Sequence, residues 1–111
     1  MRIIGGKNKG KKILFLKNKN TRPLRDLVKE NVFNLINHSL KININLKNLN
    51  IIDFYCGFGS FGIECLSREI GDVIFIEKNT EAIKILKENL KIFKSNNFKI
   101  IQSTVLDSIK K

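Results

Sequence analysis

One glycine segment has the residue types and spacing to cradle a small molecule. Ile52-Asp53-Phe54-Tyr55-Cys56-Gly57-Phe58-Gly59-Ser60-Phe61-Gly62 contains a complete G-x-G-x-x-G, with an apolar run before it and a helical pattern after it. Gly57 and Gly59 let the backbone turn sharply and approach a ligand, Gly62 permits close helix packing, and the helix start offers free amides. Glu77 lies 20 residues after Gly57, at the end of the next apolar run, where a carboxylate can accept hydrogen bonds from ribose hydroxyls. These features predict an adenosine-containing cofactor, and NAD satisfies them. Asp53 discriminates. Four positions before the first glycine, its carboxylate would sit near the pyrophosphate of a dinucleotide and repel it. S-adenosylmethionine carries an ammonium and a sulfonium and no phosphate, so Asp53 with Gly57, Gly59 and Glu77 fits it better. Tyr55 and Gly62 in the loop and Lys78 after Glu77 complete the candidate cofactor-binding residues of this segment. The plain alternative, a glycine turn with Asp53 capping its own loop, leaves unexplained why strand, glycines and second acid fall in register.

Other chemistry-bearing residues are sparse. His38 is the only histidine and has no acid or nucleophile near it in sequence, so it reads as a surface residue at a helix end. Cys56 reads as a small loop-packing residue rather than a nucleophile. Cys56 and Cys65 are nine positions apart, matching neither a redox C-x-x-C nor a zinc pattern, so no structural metal and no disulfide is expected.

The elements that must position the glycine segment alternate. Asn50 to Tyr55 read as a buried strand, Phe61 to Ser67 as a short helix ending near Gly71, and Asp72 to Glu77 as a second strand. Thr80 to Lys94 is the clearest helix, capped by Asn79 or Thr80, with Ile83, Leu86, Leu90 and Phe93 on one face. Phe98 to Gln102 form a third strand. Strand, helix, strand, helix, strand in short units implies an α/β fold with about three parallel strands.

Ahead of this unit the chain is basic. Residues 1–50 hold 12 Lys and Arg against Asp26 and Glu30, a net charge of +10, whereas residues 51–111 carry 9 basic and 8 acidic side chains. Lys7, Lys9, Lys11, Lys12, Lys17 and Lys19 occur with no carboxylate among them, interrupted by Ile13-Leu14-Phe15-Leu16. This suits a strand or hairpin with a cationic face, the electrostatic footprint of a phosphate-backbone partner; a solvated lysine surface is the competing reading. Pro23 opens a helix predicted over about 23–38, with Leu24, Leu27 or Val28, Val32, Leu35 and Ile36 at helical spacing. Residues 39–49 alternate apolar and polar and fit a strand or an Asn-rich linker equally. The expected division is 1–48, a basic segment, and 49–111, the cofactor-binding unit, within one compact body.

Length and composition bound the rest. A chain of 111 residues with 42% apolar side chains suits one modest domain and not a disordered chain. Its apolar runs fall short of the roughly 18–20 residues that span a bilayer, and Met1-Arg2-Ile3-Ile4-Gly5-Gly6 has no signal-peptide core, so a cytoplasmic, non-membrane protein is expected.

Met1-Arg2-Ile3-Ile4-Gly5-Gly6-Lys7, the segment Arg22-Pro23-Leu24-Arg25-Asp26-Leu27-Val28-Lys29-Glu30 with Phe33-Asn34, the loop from Asp53 to Gly62, and Leu66-Ser67-Arg68 followed by Phe75-Ile76-Glu77 together resemble the RsmD-type methyltransferases. The resemblance covers nearly the whole chain. It implies a Rossmann-like SAM-dependent methyltransferase fold, here partial, preceded by a basic N-terminal hairpin and helix. It also implies S-adenosylmethionine as cofactor and methylation of a guanine N2 amino group in small-subunit ribosomal RNA or its assembly intermediate. On this resemblance the RNA-contacting candidates are Lys7, Lys9, Lys11, Lys12, Arg22 and Arg25. Thr104 stands where the family has an acidic residue that contacts adenine, with Asp107 three residues later. The family's Asn-Pro-Pro-aromatic motif is absent, since Pro23 is the only proline. The resemblance is therefore to the N-terminal part of a longer enzyme, and no catalytic group is expected in 1–111. In that fold the first strand pairs on both sides, so an uncovered edge that favours self-association is expected. The rival functions are a non-enzymatic basic RNA-binding protein and an NAD-binding fragment.

Overall fold

Val73-Ile74-Phe75-Ile76 and Phe98-Lys99-Ile100-Ile101 are rich in branched and aromatic side chains, which fit an extended, pleated backbone, and both form strands. A computed structural model of the chain describes residues 2–15, 30–35, 46–54, 57–94 and 96–109. Lys17, Lys19, Arg22, Pro23, Arg25, His38, Tyr55, Cys56 and the alternating stretch 39–45 lie outside the described residues. Strands β1 (Asn50–Phe54), β2 (Asp72–Glu77) and β3 (Phe98–Gln102) form a parallel sheet in the order β1-β2-β3. Asp53 pairs with Phe75 and Glu77 with Gln102, so both acids stand at the C-terminal ends of adjacent strands. The central β2 buries Val73, Phe75 and Ile76, consistent with a strand covered on both faces. Among the described residues β1 is an edge, and its Ile52 and Phe54 are exposed.

Helix α1 (Ser60–Ser67) joins β1 to β2 and buries seven of its eight residues, all but Phe61. Helix α2 (Thr80–Leu90) joins β2 to β3, and the Asn79 side chain caps it by accepting from the Ala82 amide at 2.9 Å. Its expected extension to Lys94 does not form. The Lys91 amide bonds back only three residues to the Glu88 carbonyl, and the Phe93 amide to Leu90, tightening the chain into a turn. That turn brings the Asn97 carbonyl to the Val73 amide, 3.0 Å, where β3 begins to pair. A short helix α3 (Val105–Ile109), absent from the sequence reading, follows β3.

The N-terminal segment folds back as a tight turn, with the Ile3 amide bonded to the Lys11 carbonyl and the Gly10 amide to the Ile3 carbonyl. One antiparallel bridge, Arg2 to Lys12, stands for the expected hairpin among the described residues. Ile3 and Ile13 enter the same core as Ile63, Val73, Phe75 and Leu86. The helix expected over 23–38 is described at 30–35 and is helical there. Its buried face differs from the expected one: Phe33 is fully buried and Leu35 is 66% exposed. Phe33 wins because its ring stacks on Phe61, with centroids 5.2 Å apart, and lies 4.5 Å beneath the Arg68 guanidinium.

Candidate cofactor site

The loop between β1 and α1 is shaped by close packing. Gly59 has φ of +92°, and a Cβ there would lie 2.3 Å from Cδ1 of Leu86. Such a left-handed residue against a buried side chain needs glycine. A Cβ on Gly62 would lie 2.2 Å from Cε1 of Phe75 and 3.1 Å from Oδ2 of Asp53. The first turn of α1 thus rests directly on β2 and on the Asp53 carboxylate.

Asp53 reaches under that turn, and its Oδ2 accepts from the Gly62 amide at 3.1 Å. Burial pushes its carboxyl up from 3.8 to about 6; the Gly62 hydrogen bond works against that rise, and the negative charge of Glu77 adds to it. Glu77 ties the site together. Its Oε1 accepts from the Gly57 amide at 2.9 Å, and its Oε2 accepts from the Lys78 and Asn79 amides at 3.0 and 2.9 Å. A carboxylate offers about four lone-pair directions, so these amides occupy most of them and a ribose diol must share Oε1 with Gly57.

The structure therefore gathers Asp53, Gly57, Gly59, Gly62 and Glu77 at one end of the sheet, with Lys78 contributing its amide to Glu77. Thr104 is near the same edge, since the neighbouring Ser103 amide bonds the Glu77 carbonyl at 3.0 Å. Its side chain has a task within the fold: Oγ1 accepts from the Asp107 amide at 3.1 Å and caps α3. Lys7, Lys9, Lys11 and Lys12 lie apart, on the turn packed against the far end of α1; Lys7 is ion-paired with Glu69 at 2.9 Å.

Four polar residues that the sequence reading left unassigned join these regions. Glu64 and Ser67 are completely buried and Asn89 is nearly so, while Arg68 pairs with Glu64. Asn89 Oδ1 accepts from the Leu14 amide, and its Nδ2 donates to the Leu14 and Phe58 carbonyls at 2.9 and 3.0 Å. Two signals pointed to them: Glu64 and Arg68 are spaced i, i+4, and Asn89 interrupts the apolar face that holds Leu86 and Leu90.

A cleft of about 540 Å³ opens at the opposite end of the sheet, bordered by Lys7, Glu69, Asp72, Phe93 and Asn97. It contains none of the residues that satisfy the glycine loop, and its Glu69 is already taken by Lys7, so the converging carboxylates mark the better site. Among the described residues, no group of three or more His, Cys, Asp or Glu could hold a metal ion, and no helix is long and apolar enough to cross a membrane.

The chain is similar to known proteins along its length. Ribosomal RNA small subunit methyltransferase D of Haemophilus influenzae is 33% identical over 112 residues, which cover 99% of this chain and 55% of that protein. YlbH of Bacillus subtilis is 37% identical over 91 residues, covering 82% of this chain and 46% of that one. The solved structure of yhhF from Escherichia coli superposes with a TM-score of 0.80 at 26% identity, covering 100% of this chain and 56% of that one. The chain thus spans about half the length of the curated relatives it matches. The family model described as Conserved hypothetical protein 95 matches residues 1–111, and the chain belongs to that family as an RsmD-type N-terminal portion with a Rossmann-like methyltransferase fold.

Proposed function

We propose that residues 49–111 form the S-adenosylmethionine-binding part of an RNA methyltransferase, and that residues 1–48 help engage its substrate, small-subunit ribosomal RNA. The reading extends to transfer onto a guanine N2 amino group and to a cytoplasmic setting. The observation that carries it is the pair of carboxylates, Asp53 and Glu77, flanking the glycine loop. A half-buried anion whose protonation is already favoured by desolvation repels phosphate and gains from a cation, which is the charge pattern of S-adenosylmethionine and the reverse of a dinucleotide. The donor set therefore fits this cofactor. When bound, it supplies an electrophilic methyl group on sulfur.

The chain's own contribution is positioning. Asp53 receives the ammonium of the methionine end, and its anchoring to the Gly62 amide fixes that contact relative to α1. Glu77 holds the Gly57 amide and the α2 N-terminus in one arrangement, so the loop and the ribose-facing edge are set before a ligand arrives. Orientation of this kind lowers a barrier by removing the entropy of aligning two reactants. Calorimetric titration is expected to detect binding of S-adenosylmethionine or S-adenosylhomocysteine and none of NAD. NAD binding tighter than either would overturn the reading.

The basic turn supplies the expected RNA contact. Lys9, Lys11 and Lys12 are exposed on it, and Lys7 is held by Glu69. Changing Lys9, Lys11 and Lys12 together to Gln is expected to flatten the dependence of log RNA affinity on log salt by about 2, at roughly 0.7–0.9 per phosphate released from counterions. Titration of a short unmodified ribosomal hairpin between low and moderate salt measures this, and an unaltered slope would reduce the turn to a solvated surface. Tight RNA binding with no response to either cofactor species would instead favour a non-enzymatic RNA-binding protein.

A further inference from the structure

Helix α1 carries a second assembly at the end away from the glycine loop. The Glu64 carboxylate, fully buried, accepts from the Ile4 amide at 3.0 Å through Oε1 and from the Gly5 amide at 2.9 Å through Oε2. Arg68 one turn later donates to Oε2 at 2.8 Å and lies over the Phe33 ring, which compensates the buried charge. Ser67 continues the row: its hydroxyl donates to the Gly5 carbonyl at 2.5 Å and accepts from the Asn8 amide, while its carbonyl accepts from the Lys7 amide at 2.8 Å. At Gly6, φ is +80° and a Cβ would lie 2.0 Å from the Ser67 carbonyl oxygen, so the turn can seat this closely only with glycine. Backbone groups of Ile4, Gly5, Lys7 and Asn8 are thus gripped by Glu64 and Ser67, and the lysines at 7, 9, 11 and 12 project from a backbone fixed to the helix.

We propose that Glu64, with Ser67 and Arg68, is a positioning residue for RNA: it locks the basic turn to α1, whose other end is anchored to Asp53 through Gly62, and so sets the distance between RNA phosphates and bound cofactor. This rests on the reading of the basic turn as an RNA contact. A buried carboxylate is a costly way to dock a surface turn, because removing its partners leaves the charge stranded. Its two oxygens each hold one amide of the turn, whereas a neutral side chain of that shape satisfies one amide as acceptor and confronts the other with a donor.

The test has an informative sign. Glu64→Gln removes a negative charge from an RNA-binding protein, and long-range electrostatics alone would tighten RNA binding. Loss of the latch predicts the opposite: about tenfold weaker binding of the unmodified hairpin at moderate salt and a flatter salt slope, because fewer lysines reach phosphates together. Affinity for S-adenosylhomocysteine should stay within about twofold, which an unfolded protein could not show. Should Glu64→Gln fail to melt cooperatively, Ser67→Ala carries the same test, leaving the net charge unchanged and removing the hydroxyl that holds Gly5 and Asn8. RNA binding unchanged or tightened in the folded variant overturns the latch. If at the same time the Lys9, Lys11 and Lys12 variant loses its salt slope, the RNA reading stands and only the latch falls; if that variant too is unaffected, both fall.

Discussion

Asp53→Asn is expected to stabilise the ligand-free protein at pH 8 by about 2–3 kcal/mol while weakening its cofactor affinity. The folded-state carboxyl is raised from 3.8 to about 6, chiefly by burial, so the folded chain holds its proton more tightly than the unfolded chain does. The stability contributed by Asp53 is therefore fully present below pH 3.8 and is lost as pH rises through about 6. Asparagine keeps an oxygen for the Gly62 amide and carries no charge, so it escapes that loss. Unfolding by urea at pH 4 and pH 8 should give a gap between variant and wild type that opens with pH. The cofactor responds in the other direction. Wild-type affinity should fall about tenfold per pH unit below 6 as the partner of the ammonium is neutralised, and Asp53→Asn should lose roughly 1.5–3 kcal/mol at pH 7.5 with a flat pH profile. A variant less stable than wild type at pH 8, or a wild type whose affinity ignores pH, would show that Asp53 serves the loop and not the ligand.

Gly62→Ala should lower folding stability by about 3 kcal/mol and cofactor affinity at least about tenfold. The added Cβ meets the Phe75 ring at 2.2 Å, and Phe75 is fully buried on the central strand, so the strain passes to α1 or to β2. Either movement lengthens the contact between Asp53 and the Gly62 amide that fixes the carboxylate. Thermal unfolding and titration with S-adenosylhomocysteine read the two losses separately. Wild-type stability in this variant would mean that α1 lifts from the sheet at little cost, and the account of a preset loop would not hold.

Elements dictated by local patterns were legible in the sequence. The apolar runs around Ile51, Val73 and Ile100 became the three parallel strands, Asn79 caps its helix, and the glycine segment lies between β1 and α1 as its spacing required. What escaped was decided by partners far along the chain. Glu64 reads as one more solvent-facing helical acid until Ile4 and Gly5, 60 and 59 residues earlier, are brought beside it. Phe33 displaces Leu35 from the buried face because Phe61 and Arg68 build a slot for an aromatic ring, which periodicity alone cannot reveal. Thr104, placed by resemblance at the cofactor, also caps α3, a helix too short to announce itself. Glu77, expected to meet a ribose, also accepts from the main-chain amides of Gly57, Lys78 and Asn79, which leave no trace in side-chain identity.

The pairing of Leu14 with Asn89 spans 75 residues, and the seats of Ile4 and Gly5 on Glu64 span about 60. During synthesis the basic turn is made before the residues that hold it, Glu64, Ser67 and Asn89. At roughly 5–20 residues per second, the Leu14 amide waits about 4–15 s before Asn89 exists at all. Until Glu64 and Ser67 follow, about 60 residues and so about 3–12 s later, the lysines at 7, 9, 11 and 12 are tethered to a translating ribosome without the helix that holds their turn, and closing so long a loop is slow for entropic reasons. Docking of the arm is therefore a late event in the birth of this protein, and the nascent chain passes through a stage in which its cationic segment is loose beside a very large quantity of ribosomal RNA.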